Sequence, residues 1–256
     1  MMISKNLIKL IRALEQKKYR KQENAFVAEG PKLVGDILPF FKCRFLAATE
    51  EWLSRNKHQI HNLEQNGISV YPITVDELKR ISLQKNPQEV IGIFECKNNI
   101  IPKTLNDQKL YLALDDVQDP GNLGTIVRLA DWFGIEDIFC TYSSADIYNP
   151  KTIQATMGAL ARVNVHYVDL ADFLKRQMNI PIYGTSLDGD DIYQQELSKG
   201  GIIVMGNEGK GISEEIRTTL TNKLYIPNYP SQRITSESLN VAIATAIVCA
   251  EFRRRV

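Results

Sequence analysis

Three short stretches hold the residues whose types and spacing could do chemistry. The first is Asp119-Pro120-Gly121-Asn122-Leu123-Gly124-Thr125-Ile126-Val127-Arg128. With a helix starting near Gly124, Arg128 lies about one turn inside it and close to the loop. Its guanidinium, among Ile126, Val127, Leu129 and Ala130, needs an ion pair or a ligand. The second is Gly206-Asn207-Glu208-Gly209-Lys210-Gly211, which follows the apolar run Ile202–Met205 and precedes Ser213-Glu214-Glu215-Ile216-Arg217. That order reads as strand, tight turn and helix start, with glycines that let a ligand lie against bare backbone and free N–H groups at the helix start. The third is Ser236-Glu237-Ser238-Leu239-Asn240-Val241, at the head of an apolar C-terminal helix. Ser238 and Asn240 there are either caps or ligand contacts.

The glycine spelling excludes the two common nucleotide loops. A P-loop needs Lys directly after its last glycine, and Ile212 follows Gly211. A dinucleotide fingerprint needs Gly-x-Gly-x-x-Gly, whereas the glycines stand at 206, 209 and 211, which removes a nicotinamide-dependent oxidoreductase. Glu208 would also repel a phosphate held in the loop. Taken alone, the loop is equally an ordinary glycine-rich turn.

The elements that must hold these loops alternate along the chain. An amphipathic helix runs from Ile3 to about Lys17, and Lys17-Lys18-Tyr19-Arg20-Lys21 leads into a strand at 25–28. Pro31 starts a helix, followed by strand 44–48, helix 50–66, strand 69–73, helix 74–82 and strand 90–95. Residues 1–97 thus form a small α/β domain and 98–108 a polar linker. Residues 109–256 open on the apolar strand Leu110–Leu114, of the kind buried on both faces of a parallel sheet. Helix 124–133, strand 138–140, helix 150–160 capped by Asn149, strand 163–168, helix 170–178 and strand 182–185 follow. The 202–205 strand, strand 224–226 and helix 238–252 complete a parallel α/β sheet with helices on both sides. In such sheets ligands bind beyond the carboxyl ends of the strands, where all three loops lie.

The net charge of +1 hides an asymmetry. Residues 1–100 hold 16 Lys and Arg against 11 Asp and Glu, and the remainder 15 against 19. Seven basic residues and one acid, Glu15, fall in the first 21 positions, which suggests a front end that meets a polyanion; a solvated helix face is the plain alternative. Four separated cysteines imply neither disulfides nor zinc and fit a reducing cytoplasm. His58 and His61 lack ligand partners and read as surface residues. No apolar run reaches the ~20 residues of a membrane span.

Asn122-x-Gly124-x-x-x-Arg128, Gly206-Asn207-Glu208-Gly209-x-Gly211, and Ile226-Pro227 with Ser238-Leu239-Asn240-Val241 resemble the three motifs of the SpoU (TrmH) family. These are S-adenosylmethionine-dependent RNA ribose 2′-O-methyltransferases of the knotted SPOUT superfamily. Asn149-Pro150-Lys151 and Met157-Gly158-Ala159 fit the same pattern, and the match spans about residues 109–252. Phe26-Val27-Ala28-Glu29-Gly30-Pro31 is similar to the family's substrate-binding domain, whose fold resembles a ribosomal-protein RNA binder. One departure is the segment Asn228–Glu237, longer than the family's usual link.

The resemblance implies a homodimer, a deep trefoil knot and a methyl donor held in the knot loops, with no metal. It assigns Arg128 to orienting the 2′-hydroxyl, with deprotonation as a second role, and Asn122, Glu208, Ser238 and Asn240 to ordering the site. Positioning is the role an always-charged guanidinium fills more readily. Donor contacts fall to Thr185, Met205, Gly206, Asn207, Gly209, Ile226, Pro227 and Leu239, while the charge of the basic front end, and not the resemblance, points to Lys17, Lys18, Arg20 and Lys21 as RNA contacts. Ribosomal RNA is expected ahead of transfer RNA because of the extra N-terminal domain. The alternative is an RNA-binding protein that keeps the fold without turnover.

Overall fold

A computed structural model of the chain describes residues 4–177, 179–230 and 238–255. They separate into two compact units, one made of the chain up to Asn98 together with Asp146–Ala161, the other of Asn99–Ala145 and the chain from Arg162 onward. Residues 146–161 therefore pack with the N-terminal unit, although by sequence they interrupt the second.

In the first unit β1 (Ala25–Glu29), β2 (Cys43–Ala48), β3 (Val70–Pro72) and β4 (Val90–Glu95) form a sheet in the order β1-β4-β2-β3. β4 is antiparallel to both neighbours and β3 runs parallel to β2. The first helix is shorter than expected: α1 (Lys5–Ala13) stops and a second helix, α2 (Lys17–Glu23), forms in place of a lead-in to the strand. The cause is Arg20, 3% exposed, whose guanidinium reaches the Leu14 and Glu15 carbonyls (2.9 and 2.6 Å) and Asp146 (2.7 Å). After α3 (Pro31–Ile37), the 50–66 helix breaks at Asn56 into α4 (Glu50–Arg55) and α5 (Lys57–Gln65). Thr74 and Glu77 make a reciprocal capping box at α6 (Val75–Ile81).

Also in this unit, α8 (Pro150–Thr156) is capped by Asn149 and ends at Met157 in the left-handed region (φ 51°), before a 3-10 turn at Ala159–Ala161. Gly158 must be glycine, since its φ is +89° and a Cβ would meet Asp36. Phe26 packs between Phe41, Phe94 and Tyr148, with ring centroids 4.8–5.7 Å apart.

The second unit holds a parallel sheet of β5 (Leu110–Leu114), β6 (Asp137–Cys140), β7 (Asn164–Tyr167), β8 (Ile182–Asp191), β9 (Gly201–Met205) and β10 (Asn222–Tyr225), ordered β10-β8-β9-β5-β6-β7. The chain builds outward from β5 to β7, crosses back to β8, and then lays β9 between β8 and β5. Alternate residues face two layers. Tyr111, Ala113, Ile202 and Val204 pack on Phe173 and Leu174 of α9 (Leu170–Lys175) and Ile216 of α10 (Glu214–Arg217). From the other face Tyr183 meets Phe252 of α11 (Val241–Arg254) edge-on at 5.0 Å. α11 lies parallel to α7 (Pro120–Trp132), for Asn240 bonds Asn122 at one end and Arg253 bonds the Phe133 carbonyl at the other.

Two bounds of this unit differ most from expectation. α7 begins at Pro120, four residues early, because Asp119 caps it by accepting from the Asn122 N–H (2.9 Å) and Pro120 fits the first helical position. β8 runs on to Asp191, with an excursion at 185–189 before Asp190 and Asp191 pair with β10. Among the described residues no helix is long and apolar enough to cross a membrane.

Candidate active site

Because all six strands point one way, the segments after β5, β8, β9 and β10 emerge at one end of the sheet. Leu114 pairs with Met205, so Asp115 and Gly206 leave adjacent strands at the same level, beside the point where strand order reverses.

Gly206 is glycine because the loop folds back on it. A Cβ would overlap the Gly211 carbonyl carbon and the Ile212 nitrogen. The loop closes through Asn207 N–H to Gly211 O (2.9 Å) and Gly211 N–H to Asn207 O (2.8 Å), with Gly211 at φ +69°. The Asn207 side chain is wholly committed to the fold. Its Oδ1 accepts from Gly209 and Lys210 N–H (2.9 and 3.1 Å), and its Nδ2 donates to the Asp116 carbonyl and carboxylate (2.9 and 3.3 Å). With both amide hydrogens and both Oδ1 lone pairs used, that side chain has no bond left for a ligand. Two neighbours that sequence reasoning missed complete the frame. Buried Asp115 accepts from the Ser213 N–H (2.7 Å), and Asp116 takes a left-handed φ of 57°, uncommon for a non-glycine residue. The consecutive carboxylates after an apolar strand are the available signal.

This frame holds Glu208 outward, where three distant segments converge. Asn122 Nδ2 and Asn240 Nδ2 (3.1 Å) both donate to Glu208 Oε1, and Asn240 also donates to Asn122 Oδ1 (3.0 Å). Ser238 Oγ donates to the Glu208 carbonyl (3.3 Å). Asn240, not Ser238, is the cap of α11, its Oδ1 accepting from Ala242 and Ile243 N–H (3.0 and 3.3 Å). Ser236 and Glu237 lie outside the described residues, as does 231–237 of the departing segment.

Arg128 corrects an expectation. It lies two turns into α7, since the helix starts early, and it is exposed rather than embedded among its apolar neighbours. Among the described residues its side chain has neither ion pair nor hydrogen bond to the protein. The guanidinium is solvated and open to a ligand instead of being forced to one by burial.

The remaining residues stand at the ends of adjacent strands. Thr185, half-buried, donates to the Val204 carbonyl (3.4 Å) just past the part of β8 that pairs with β9, and Met205 is buried, its carbonyl accepting from the Asp115 N–H (2.9 Å). Ile226 and Pro227 are half-buried after β10, Gly209 is exposed, and Leu239 is 47% exposed beside the 206–211 loop. The cysteines are poor nucleophiles: burial pushes the Cys43 thiol up to about 11 and that of Cys249 to about 12.

Residues 109–250 match the model of the SpoU rRNA Methylase family. The chain belongs to that family. Residues 5–92 match the MRM3-like substrate binding domain. The chain is 29% identical over 243 residues, 94% of its length and 93% of the relative's, to the 23S rRNA (guanosine(2553)-2′-O)-methyltransferase of Bacillus subtilis. Among solved structures, a TrmH-family protein from Porphyromonas gingivalis is 43% identical with TM-score 0.87 and full coverage of both chains. The AdoMet-bound rRNA methyltransferase of Sinorhizobium meliloti is 32% identical with TM-score 0.88, covering 100% of this chain and 97% of its own.

In the first unit, Lys17, Lys18 and Lys21 are exposed on α2. Arg20 is not: its fork is closed on Asp146 and two carbonyls, which leaves it no donors directed at an RNA phosphate.

Proposed function

We propose that this protein transfers the methyl group of S-adenosylmethionine to a ribose 2′-hydroxyl of ribosomal RNA, in the cytoplasm. The observation that carries the reading is the convergence of Asn122, Asn240 and Ser238 on Glu208 at the carboxyl end of the sheet. Relatives named as rRNA 2′-O-methyltransferases and an AdoMet-bound neighbour support the substrate class and the donor. The RNA-binding reading without turnover explains none of these contacts.

The residues present suit such a donor. An adenine wants apolar walls and a few backbone groups, and Ile226, Pro227 and Leu239 offer the walls while the backbone at Thr185, Met205, Gly206 and Gly209 offers the polar groups. The donor supplies an electrophilic methyl on sulfonium. Glu208, pinned on one oxygen by two amides, fixes the loop end of the site. Arg128 orients the hydroxyl, because a guanidinium is a rigid fork of donors that stays charged.

A second copy of the chain completes this proposal. α7 carries Trp132, 84% exposed, and α11 carries Ile243, 55% exposed, with Ile247 and Ala250 on the same outer stripe. Such apolar faces on two parallel helices suit a homodimer. The laying of β9 between β5 and β8 supports a trefoil knot. The first unit is assigned to the RNA substrate.

Three measurements test the function together. S-adenosylmethionine is titrated calorimetrically, methyl transfer is assayed on ribosomal RNA from a strain lacking this gene, and the product is mapped for 2′-O-methylation. Arg128→Ala is expected to keep donor affinity and fold while losing on the order of 100-fold in turnover, the scale of one lost positioned donor. Near-normal turnover in that variant removes Arg128 from the mechanism, and no donor binding by the wild type removes the activity.

A further inference from the structure

The loop after β6 holds an aromatic ring for which the fold has no use. Tyr142 is 68% exposed, and among the described residues its hydroxyl makes no hydrogen bond. Its loop, by contrast, is strapped to the segment after β5. Thr141 N–H donates to the Leu114 carbonyl (3.1 Å), and Thr141 Oγ1 accepts from the Asp116 N–H (2.9 Å). Buried Ser144 accepts from the Val117 N–H (3.2 Å) and shares a bond with Thr141 Oγ1 (3.0 Å), while Ala145 N–H reaches the Val117 carbonyl (2.9 Å). Asp116 in turn binds Asn207, which orders the loop carrying Glu208. An exposed ring is thus carried on a loop that is fixed to the framework of the active site, one strand from β5 and on the same end of the sheet.

We propose that Tyr142 is a stacking platform for a base that flanks the modified nucleotide, which rests on the reading above that the substrate is RNA. Single-stranded RNA is recognised by splaying its bases onto aromatic faces, and each base has a face to offer. With its backbone already fixed, a tyrosine has only two χ angles to immobilise when a base settles on it. Other exposed rings fit the role less well. Trp132 lies on the outer stripe of α7, and Tyr229 borders residues outside those described.

The test uses the full-length protein and ribosomal RNA from a strain lacking this gene. Tyr142→Ala is expected to raise KM for RNA by about 5- to 150-fold, the range of one lost base–aromatic stack, with kcat and donor affinity retained. Tyr142→Phe keeps the ring and is expected to stay within about twofold of wild type. Zero-length ultraviolet crosslinking of the same RNA, mapped by mass spectrometry, is expected to attach a nucleotide to Tyr142 whether or not turnover occurs. If the wild type transfers no methyl group but the crosslink forms, the platform stands and the enzymatic reading falls. If the wild type turns over while Tyr142→Ala keeps its KM and no crosslink reaches residue 142, the platform is overturned.

Discussion

Asn122 and Asn240 stand 118 residues apart in sequence, yet the Asn240 amide donates to the Asn122 carbonyl oxygen at 3.0 Å. The same Asn240 side chain caps α11 through its Oδ1 and holds Glu208 through its Nδ2. Fold and site therefore share one amide, and the two duties can be separated chemically. Asn240→Ala removes both, at about 1 kcal/mol for the lost cap. Asn240→Asp keeps a good cap but turns an oxygen toward the Glu208 carboxylate. The aspartate variant is expected to melt higher than the alanine variant while being no more active. Wild-type turnover in Asn240→Asp would show that the amide–carboxylate contact is dispensable.

The glycines of the 206–211 loop are expected to differ sharply. At Gly206 a Cβ overlaps the Gly211–Ile212 backbone, which cannot swing aside as a side chain would. Gly206→Ala is expected to lower the melting temperature and donor affinity together. Loss of donor binding there reports a broken loop and not a filled pocket, so a bulky substitution does not test donor occupancy. At Gly209 the nearest atom to a Cβ is Asn207 Oδ1 at 3.7 Å, an ordinary contact. Gly209→Ala is expected to melt within the ~0.5 kcal/mol typical of surface changes, and equal melting of the two variants would contradict this account.

Much of this frame is legible in the amino-acid sequence. The apolar runs at 110–114 and 202–205 are buried neighbours in the parallel sheet, and the first two polar loops follow these strands at its carboxyl end, where Ser238 and Asn240 of the third meet them. The start of α7 is harder to place because Gly121 and Gly124 argue for a loop, while the stronger signal, a capping Asp119 before Pro120, lies just upstream. Arg20 reads with its lysine neighbours as a surface charge, and nothing local distinguishes it. Its partner Asp146 is 126 residues away, and only the folded chain makes it a buried ion pair. The self-sufficiency of the Asn207 side chain is hidden for the same reason, since it depends on Asp116 from another strand.

A pH dependence follows from Glu29. Burial raises its pKa above the ordinary 4.5, against the lowering effect of bonds from Ser82 Oγ–H and Leu83 N–H. A carboxyl whose folded pKa is raised contributes stability that is fully present below the unfolded pKa and lost as pH rises through the folded one. Glutamine cannot ionise and can still accept the Leu83 N–H. Glu29→Gln is therefore expected to gain stability relative to wild type as pH rises from about 4 toward neutrality, with other groups cancelling in the difference. Urea unfolding followed by the buried Trp52, which reports on the first unit, checks it. A difference that does not change with pH would contradict the assignment.

The basic front end divides into two kinds of residue, and they should fail differently. Lys17, Lys18 and Lys21 are exposed on α2, whereas Arg20 is buried on Asp146. Lysines that meet RNA phosphates displace counterions, so log affinity falls with log salt by about 0.7 per contact on single strands. Replacing the three lysines with glutamine is expected to flatten that slope by up to about 2 and to raise KM for RNA, with melting temperature and donor affinity unchanged. Arg20→Met is expected to do the reverse. It strands the Asp146 carboxylate, and breaking a buried pair costs about 3–5 kcal/mol, so the first unit loses stability while the salt slope of the remaining folded protein is preserved. RNA binding measured against salt, beside thermal melting of each variant, separates the two. An unchanged slope in the triple lysine variant would return α2 to the status of a solvated helix face and leave RNA recognition to other surfaces of the protein.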